Sequence, residues 1–522
     1  MRTHPLSRIM ISLSVSIVLL LVGYFLYSRI IEKVFGADPA RKTPAYEKND
    51  GVDFVPMPQW KVALTQFFNI AGLGAVFGAV MGALFGPAAF IWIVVGCVFA
   101  GGVHDYFSGM ISLRHGGISF SEIVGEYMGN GCMQVVRVTT ILALVLTGMV
   151  FVLSPAEVLS TLSDSTWLEH IGFDRESGGS RPVFFFWVCL IFAYYVFAVI
   201  CPIDQITRRF YPVFGGMIIL TVCIFCFCLY YYLPDVPEIT QALQDHHPAG
   251  YPVFPMLFVT LTCGAISGFH ATQSPIMARC LVNEKMGRSV FYGAMIAEGI
   301  IALIMAAIAS HVFHSPGRNF VLSEGNPATA VLQYATSHWM GPFLGTFAMI
   351  GVALFAVTSG DTAFRAARLM LADILHLEQH SLRNRLFLSI PLFVAGFLLI
   401  FVNFDMAWRH FSFFNQSQGT ICLWMLTIYL ARKRKNYWIG LVPSSFMTMV
   451  IAAYLFVAPE LLELPTWLSN LFGCVIMSMC VLLFFIWKAG VDIENSRNDI
   501  SRIINGPDNF NRVKEDEQTV QR

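Results

Sequence analysis

Three acidic side chains stand inside runs that are otherwise apolar. They have the most chemistry to offer in this sequence. Asp105 follows His104 in the run 88–112, and Glu298 lies in the run 290–313. Asp361 follows Thr358 and Ser359 in the run 341–364, with Arg365 one helical turn further on. Charge inside hydrocarbon is costly and is usually kept for function. Asp361 has a plain use, an i,i+4 pair with Arg365, and Asp105 would equally serve as a cap or a partner for a neighbouring loop. Glu298 has no charged residue within a helical turn, so a coupling role is expected of it first.

Glycine marks two of the runs. One contains Ile70-Ala71-Gly72-Leu73-Gly74, then Gly78, Gly82 and Gly86. The other contains Cys263-Gly264-Ala265-Ile266-Ser267-Gly268-Phe269-His270, then Gln273, Ser274 and Pro275. Glycine loosens a helix and lets backbone approach a ligand. Unwound mid-membrane helices of this kind expose carbonyls and half-helix N-termini to substrate and ions. The plainer use is close helix packing through small residues. Gly72, Gly74, Ser267 and Gly268 are the expected substrate-contacting backbone, with His270 and Gln273 beside them. His270 would carry a proton or hydrogen-bond a freed carbonyl. Asn415-Gln416 would hydrogen-bond substrate or join helices.

Positioning these residues is the work of membrane-spanning helices. Of 522 residues, 56% are hydrophobic and only 13% charged, with 33 Lys and Arg balanced by 33 Asp and Glu. That composition excludes a soluble enzyme, a disordered scaffold and a secreted disulfide domain, and it lacks the basic excess of a nucleic-acid binder. Thirteen runs are long enough to cross a bilayer: 9–31, 60–86, 88–112, 138–157, 183–202, 211–233, 253–276, 290–313, 341–364, 386–402, 411–431, 436–457 and 467–488. Helices are expected, since a barrel would show short alternating segments. The loops after the third, fifth, seventh, ninth and eleventh runs carry fifteen Lys and Arg against four in the alternate loops. By the positive-inside rule the first set is cytoplasmic, and so is the C-terminus. The cluster Cys223, Cys226 and Cys228 sits mid-span without histidine and reads as packing, so no metal site is expected. No nucleotide-binding loop, Ser-His-Asp set or HExxH motif stands out, which argues against a pump driven by ATP and against an enzyme.

The glycine-rich runs begin the second and seventh spans. An odd offset of five inverts the second unit relative to the first, which is the pattern of a five-plus-five inverted repeat. The expected architecture is therefore all-α, with about 13 transmembrane helices. Residues 1–58 form a first helix and a cytoplasmic lead-in segment, 59–233 a first five-helix repeat and 253–431 the inverted second. Two accessory helices occupy 436–488, and 489–522 is a polar cytoplasmic tail.

Several segments, in order from about 37 to 450, resemble the carbon starvation protein CstA family. They are Ala37-Asp38-Pro39 to Pro44, Asn49-Asp50-Gly51 to Pro56, Ile70-Ala71-Gly72, Ala100-Gly101-Gly102-Val103-His104-Asp105-Tyr106, Cys263 to Ala271, Asn283-Glu284, Gly293-Ala294-Met295 with Glu298, Arg365-Ala366-Ala367-Arg368, and Asn415-Gln416. The chain is similar to the family's shorter branch. The resemblance implies a LeuT-like transporter fold and uptake of peptides or pyruvate in nutrient limitation, with proton coupling in the pyruvate relatives. Longer members carry a His-His pair where this chain has Thr65-Gln66, and prolines where it has Ala75 and Ala79. Thr358 and Ser359 occupy the helix that supplies hydroxyls to sodium in LeuT-like folds, so the resemblance leaves H⁺ and Na⁺ both open. The expected function is a cation-coupled importer of a small carboxylate or peptide in a bacterial inner membrane, with no cofactor beyond the transported ion. Outside transport, the alternative is a membrane-embedded starvation sensor. The sequence leaves the oligomeric state open.

Overall fold

The computed structural model describes residues 9–51, 53–163, 181–200, 211–232, 247–315, 317–323, 326–378, 381–402 and 404–520. Among these residues the elements are helices joined by short connections, with no β-sheet. The first helix, α1, is Ile11–Phe35. Next come α2a (Gln59–Ile70) and α2b (Gly74–Ala83), α3 (Ala88–Arg114), the short α4 (Phe120–Met128), α5 (Asn130–Leu162), α6 (Arg181–Ile200) and α7 (Tyr211–Tyr232). The order then repeats in kind with α8a (Val253–Thr260) and α8b (Gly268–Ala278), α9 (Glu284–His314), the short α10 (Pro327–Trp339), α11 (Gly341–Leu375), α12 (Leu382–Leu399) and α13 (Phe404–Arg432). Two more helices close the chain, α14 (Trp438–Val457) and α15 (Thr466–Val520). Each half thus opens on a broken helix.

Ten of the described helices are long and apolar enough to cross a membrane, and α2a with α2b makes an eleventh. The expected count of thirteen is therefore not reached by length and hydropathy alone. The missing two are informative. The run at 253–276 is split into α8a and α8b, each too short by itself. The run at 411–431 lies in α13, where Asn415-Gln416-Ser417-Gln418 dilutes the apolar character. Both departures fall where the expected site residues are.

The two breaks start alike. Ala71 takes φ −77°, ψ 61°, and Leu261 takes φ −80°, ψ 65°. At the first, the Gly72 N–H turns back to the Ile70 carbonyl at 2.8 Å, an inverse γ-turn, and the helix resumes bent by 55°. At the second, Cys263 sits at φ 67° while the Gly264 N–H meets the Thr262 carbonyl at 2.9 Å. A non-glycine residue in that region is uncommon and is held there by its surroundings. Those surroundings are α2b. Side chains at Gly74, Gly78 and Gly82 would collide with Cys263, the Thr262 carbonyl and Leu261 in turn. The spacing of four puts the three glycines on one helix face, so the plainer packing role is real for this stripe. It seats one break against the other.

The lead-in segment is clamped to the bundle by a buried acid. Glu284 accepts the Asp38 N–H at 2.7 Å and receives Arg114 through two hydrogen bonds, at 3.1 and 2.9 Å. Near the start of α8a, His247 packs its ring on Phe85 and Tyr251, with centroids at 4.6 and 4.8 Å, and accepts the Ala249 N–H. Burial holds its imidazole down at about 4, below the ordinary 6.5. The unfolded chain then binds the extra proton between these two values, so stability falls as pH drops from about 6.5 towards 4. Thermal melts of the purified protein across that window should show a pH slope that His247→Phe reduces.

Candidate functional site

Four titratable side chains from three elements form one chain in the interior. His104 and Asp105 lie on α3, His270 on α8b and Glu298 on α9. His104 Nδ1 is 2.8 Å from one Asp105 oxygen, and His270 Nδ1 is 3.0 Å from the other. His270 Nε2 is 3.4 Å from Glu298 Oε2. All four side chains are fully buried. Neither Glu298 oxygen, nor His270 Nε2, nor His104 Nε2 makes a hydrogen bond of good geometry. The order follows from which elements touch: α8b packs along α3, and α9 runs beside α2a and α2b. Gly96 and Gly101 of α3 allow this, because side chains there would strike Ala265 in the second break.

Glu298 was expected to lack a partner, and within its own helix it does. The partner comes from α8b, across the fold. Asp105, for which a cap or loop contact was an open use, is instead the central acceptor of two imidazoles. Accepting from His270 Nδ1 fixes that ring so that Nε2 presents a lone pair to Glu298 when the imidazole is neutral. The result is a contiguous buried row of two acids and two histidines. Cys263 Sγ, His270 and Glu298 also offer donor atoms within 4.8 Å of one another. The Cys263 sulfur is already engaged by Ser267 Oγ at 3.1 Å and by the Asn415 amide, which suits a neutral thiol in a hydrogen-bond network better than a thiolate ligand.

That network holds the second break open. Asn415 Oδ1 accepts the Phe269 N–H at 2.7 Å and the Ser267 hydroxyl at 3.2 Å. Its amide nitrogen donates to Thr262 Oγ1 and, at 3.0 Å, to Ser267 Oγ. Asn415 thereby caps α8b from 146 residues away in sequence. Gln416 donates to the Ile266 carbonyl at 3.1 Å, and Gln273 to Thr272 Oγ1 at 3.0 Å. The side-chain oxygens of Gln416 and Gln273 are buried without a partner. Gly268 crosses α13 so closely that a methyl group would meet the backbone of Asn415 and Gly419. Gln66 donates to Ser274 Oγ at 3.2 Å.

The remaining expected residues lie on the other side of the first break. Gly72 abuts Ser359, and Gly74 abuts Cys263. The two glycines therefore look to different neighbours, and of the pair it is Gly74 that adjoins the second break. Ser359 Oγ donates to the Phe68 carbonyl at 3.2 Å, and Thr358 Oγ1 donates to the Phe355 carbonyl at 2.9 Å. The carbonyl that meets Ser359 thus comes from the last turn of α2a, just before the first break. Asp361 makes the plain i,i+4 pair, with Arg365 Nη2 at 3.0 Å, and stands outside the four-membered chain. Thr262, Cys263, His104 and Gln66 complete the polar site although the sequence did not single them out for it. The positive φ at Cys263 has no compositional sign.

The model of the family described as Carbon starvation protein CstA matches residues 8–171, 184–337 and 319–453. The peptide transporter CstA of Escherichia coli is 25% identical over 83% of this chain and 78% of its own. The pyruvate/proton symporter BtsT of Escherichia coli is 29% identical over 62% of this chain and 52% of its own. Among solved structures, the crystal structure of MhsT in complex with L-phenylalanine aligns with a TM-score of 0.53, at 15% identity, over 83% of this chain and 98% of its own. At that identity the likeness speaks for the fold, which is the LeuT type.

Proposed function

The chain belongs to the carbon starvation protein CstA family, and from that premise we propose that it is a proton-coupled secondary transporter importing a small carboxylate such as pyruvate, or short peptides. The named functions of the Escherichia coli relatives support a small-molecule cargo and a coupling ion. The observation that carries the coupling is the buried path His104–Asp105–His270–Glu298 beside the second break. A carboxylate arriving at half-helix N-termini adds negative charge close to Glu298 and Asp105. Proton uptake by the cluster offsets that charge, so each ligand favours binding of the other, and the coupling is reciprocal. We assign the substrate region to Gly74, Ser267, Gly268, His270, Gln273, Asn415 and Gln416, and the repeats to 59–233 and 253–431. The Lys and Arg bias supports a cytoplasmic C-terminus, as in a bacterial inner membrane.

The test is uptake by reconstituted vesicles of labelled pyruvate and labelled dipeptides under imposed proton or sodium gradients. Accumulation of one cargo under an inward proton gradient, abolished by a protonophore, is the expected result. Absence of uptake of either cargo under any gradient overturns the transport reading.

Thr358 and Ser359 favour the sodium reading, because their hydroxyls gather with the Phe68 and Phe355 carbonyls. Oxygen ligands alone suit a hard cation. Under proton coupling, replacing sodium by choline at fixed pH and membrane potential leaves wild-type uptake unchanged. The double variant Thr358→Ala, Ser359→Ala then leaves the ion dependence unaltered. A sodium requirement that rises in the double variant transfers the coupling to this site.

A further inference from the structure

Away from the proton path, a groove of about 550 Å³ opens between the end of α4, the last two turns of α13 and the middle of α15. On α13 the wall runs from Trp424 to Arg432, and on α15 from Cys480 through Phe484 to Trp487, with Lys488 next in sequence. Eight residues of helix span about 12 Å. The α13 wall is therefore apolar at depth and basic at its end, and the α15 wall stays apolar and aromatic along its length. α15 shows most of its apolar surface outward, with only 17% of its spanning window buried, so the groove opens to the side of the bundle.

The basic rim is built, not incidental. Arg432 donates to the Glu126 and Tyr127 carbonyls at 3.3 and 3.2 Å. Its guanidinium lies over the rings of Tyr127 and Trp487 at 5.6 and 5.8 Å. Those contacts fix the plane of the guanidinium and leave further N–H donors for an anion. Lys433 and Arg434 follow at exposed positions. The acid at the rim, Glu126, is engaged by His115 at 3.1 Å, and Lys488 holds Asp492. The rim is cationic, and the aromatic floor admits an acyl chain.

We propose that this groove binds one anionic phospholipid, its phosphate at Arg432 and one acyl chain along Trp424, Cys480 and Phe484. A cavity between spanning helices that is basic at its interfacial end and apolar at depth matches that amphiphile. The charge gradient along the α13 wall sets the occupant: a zwitterionic lipid gains the apolar contacts without the same rim attraction, and a soluble anion gains only the rim.

Native mass spectrometry of the purified full chain in detergent tests this, with phosphatidylglycerol and phosphatidylcholine of matched chains. The wild type is expected to retain a single phosphatidylglycerol in preference to phosphatidylcholine. Arg432→Gln reduces the preference about fivefold, the effect of one basic residue near the headgroup. Cys480→Trp fills the apolar end, leaves the rim intact and removes retention of both lipids. Equal retention of the two lipids by the wild type overturns the proposal, and so does wild-type retention by both variants. Displacement of phosphatidylglycerol by inorganic phosphate alone overturns it as well, since the apolar end would then contribute nothing.

Discussion

Glu298→Gln is expected to reach the membrane at normal abundance, to exchange labelled cargo across vesicles, and to lose accumulation driven by a proton gradient. The side chain is fully buried and its two oxygens make no hydrogen bond of good geometry, so the isosteric amide removes little that holds the fold. What it removes is the capacity to take up a proton beside His270. One pH unit is worth about 1.4 kcal/mol per proton, or about tenfold in concentration. Electroneutral symport of one proton with one carboxylate therefore supports roughly tenfold accumulation across a one-unit gradient, and the variant should fall towards equal concentrations inside and out. Counterflow, which needs no net proton movement, is the control that shows the cargo site intact. Retained tenfold accumulation would place the proton elsewhere. Asp105→Asn separates carrier from positioning residue: it should move the pH profile of uptake, because His270 loses the acceptor that orients it.

The parts of this arrangement that the sequence reveals are those written in local pattern. Hydropathy marks the spans, and the two glycine-rich runs mark the two breaks, because the close approach of Cys263 at Gly74 and of backbone at Gly78 and Gly268 excludes a side chain. At Gly74 and Gly78 that contact joins the two breaks, and at Gly268 it joins the second break to α13. Less legible is which charges share a site. Asp105 and His270 are 165 residues apart, and no helical period joins them. Glu298 looks solitary for the same reason, while Asp361 shows its partner openly at i+4. The polar character that places Asn415 in the site also lowers the hydropathy of α13. A span can thus be least convincing by composition where it matters most. Thr262 and Cys263 are a harder case, since their part depends on a backbone turn whose cause is the opposing helix.

Asn415→Ala tests whether that turn is held from α13. The wild-type amide accepts from the Phe269 N–H and the Ser267 hydroxyl and donates to Thr262 and Ser267. Losing an N-cap costs about 1 kcal/mol, and each buried polar group left unsatisfied adds about 1–3 kcal/mol. The alanine variant should lose about 2–4 kcal/mol and transport little, because the N-terminus of α8b and the strained Cys263 turn are no longer fixed. Destabilisation alone would not identify the site, and Asn415→Asp supplies the missing readout. It is nearly isosteric and keeps both acceptor contacts, so the cap of α8b survives although the donor contacts to Thr262 and Ser267 are lost. When ionised it sets a carboxylate where an anionic cargo would approach the Phe269 N–H, and like charges repel. Its half-saturating concentration for pyruvate should rise and then recover as pH is lowered, while its thermal stability falls less than that of Asn415→Ala. Equal affinity for pyruvate in Asn415→Asp and wild type across pH would move the cargo carboxylate away from the second break. Asn415 would then remain as the cap of α8b alone.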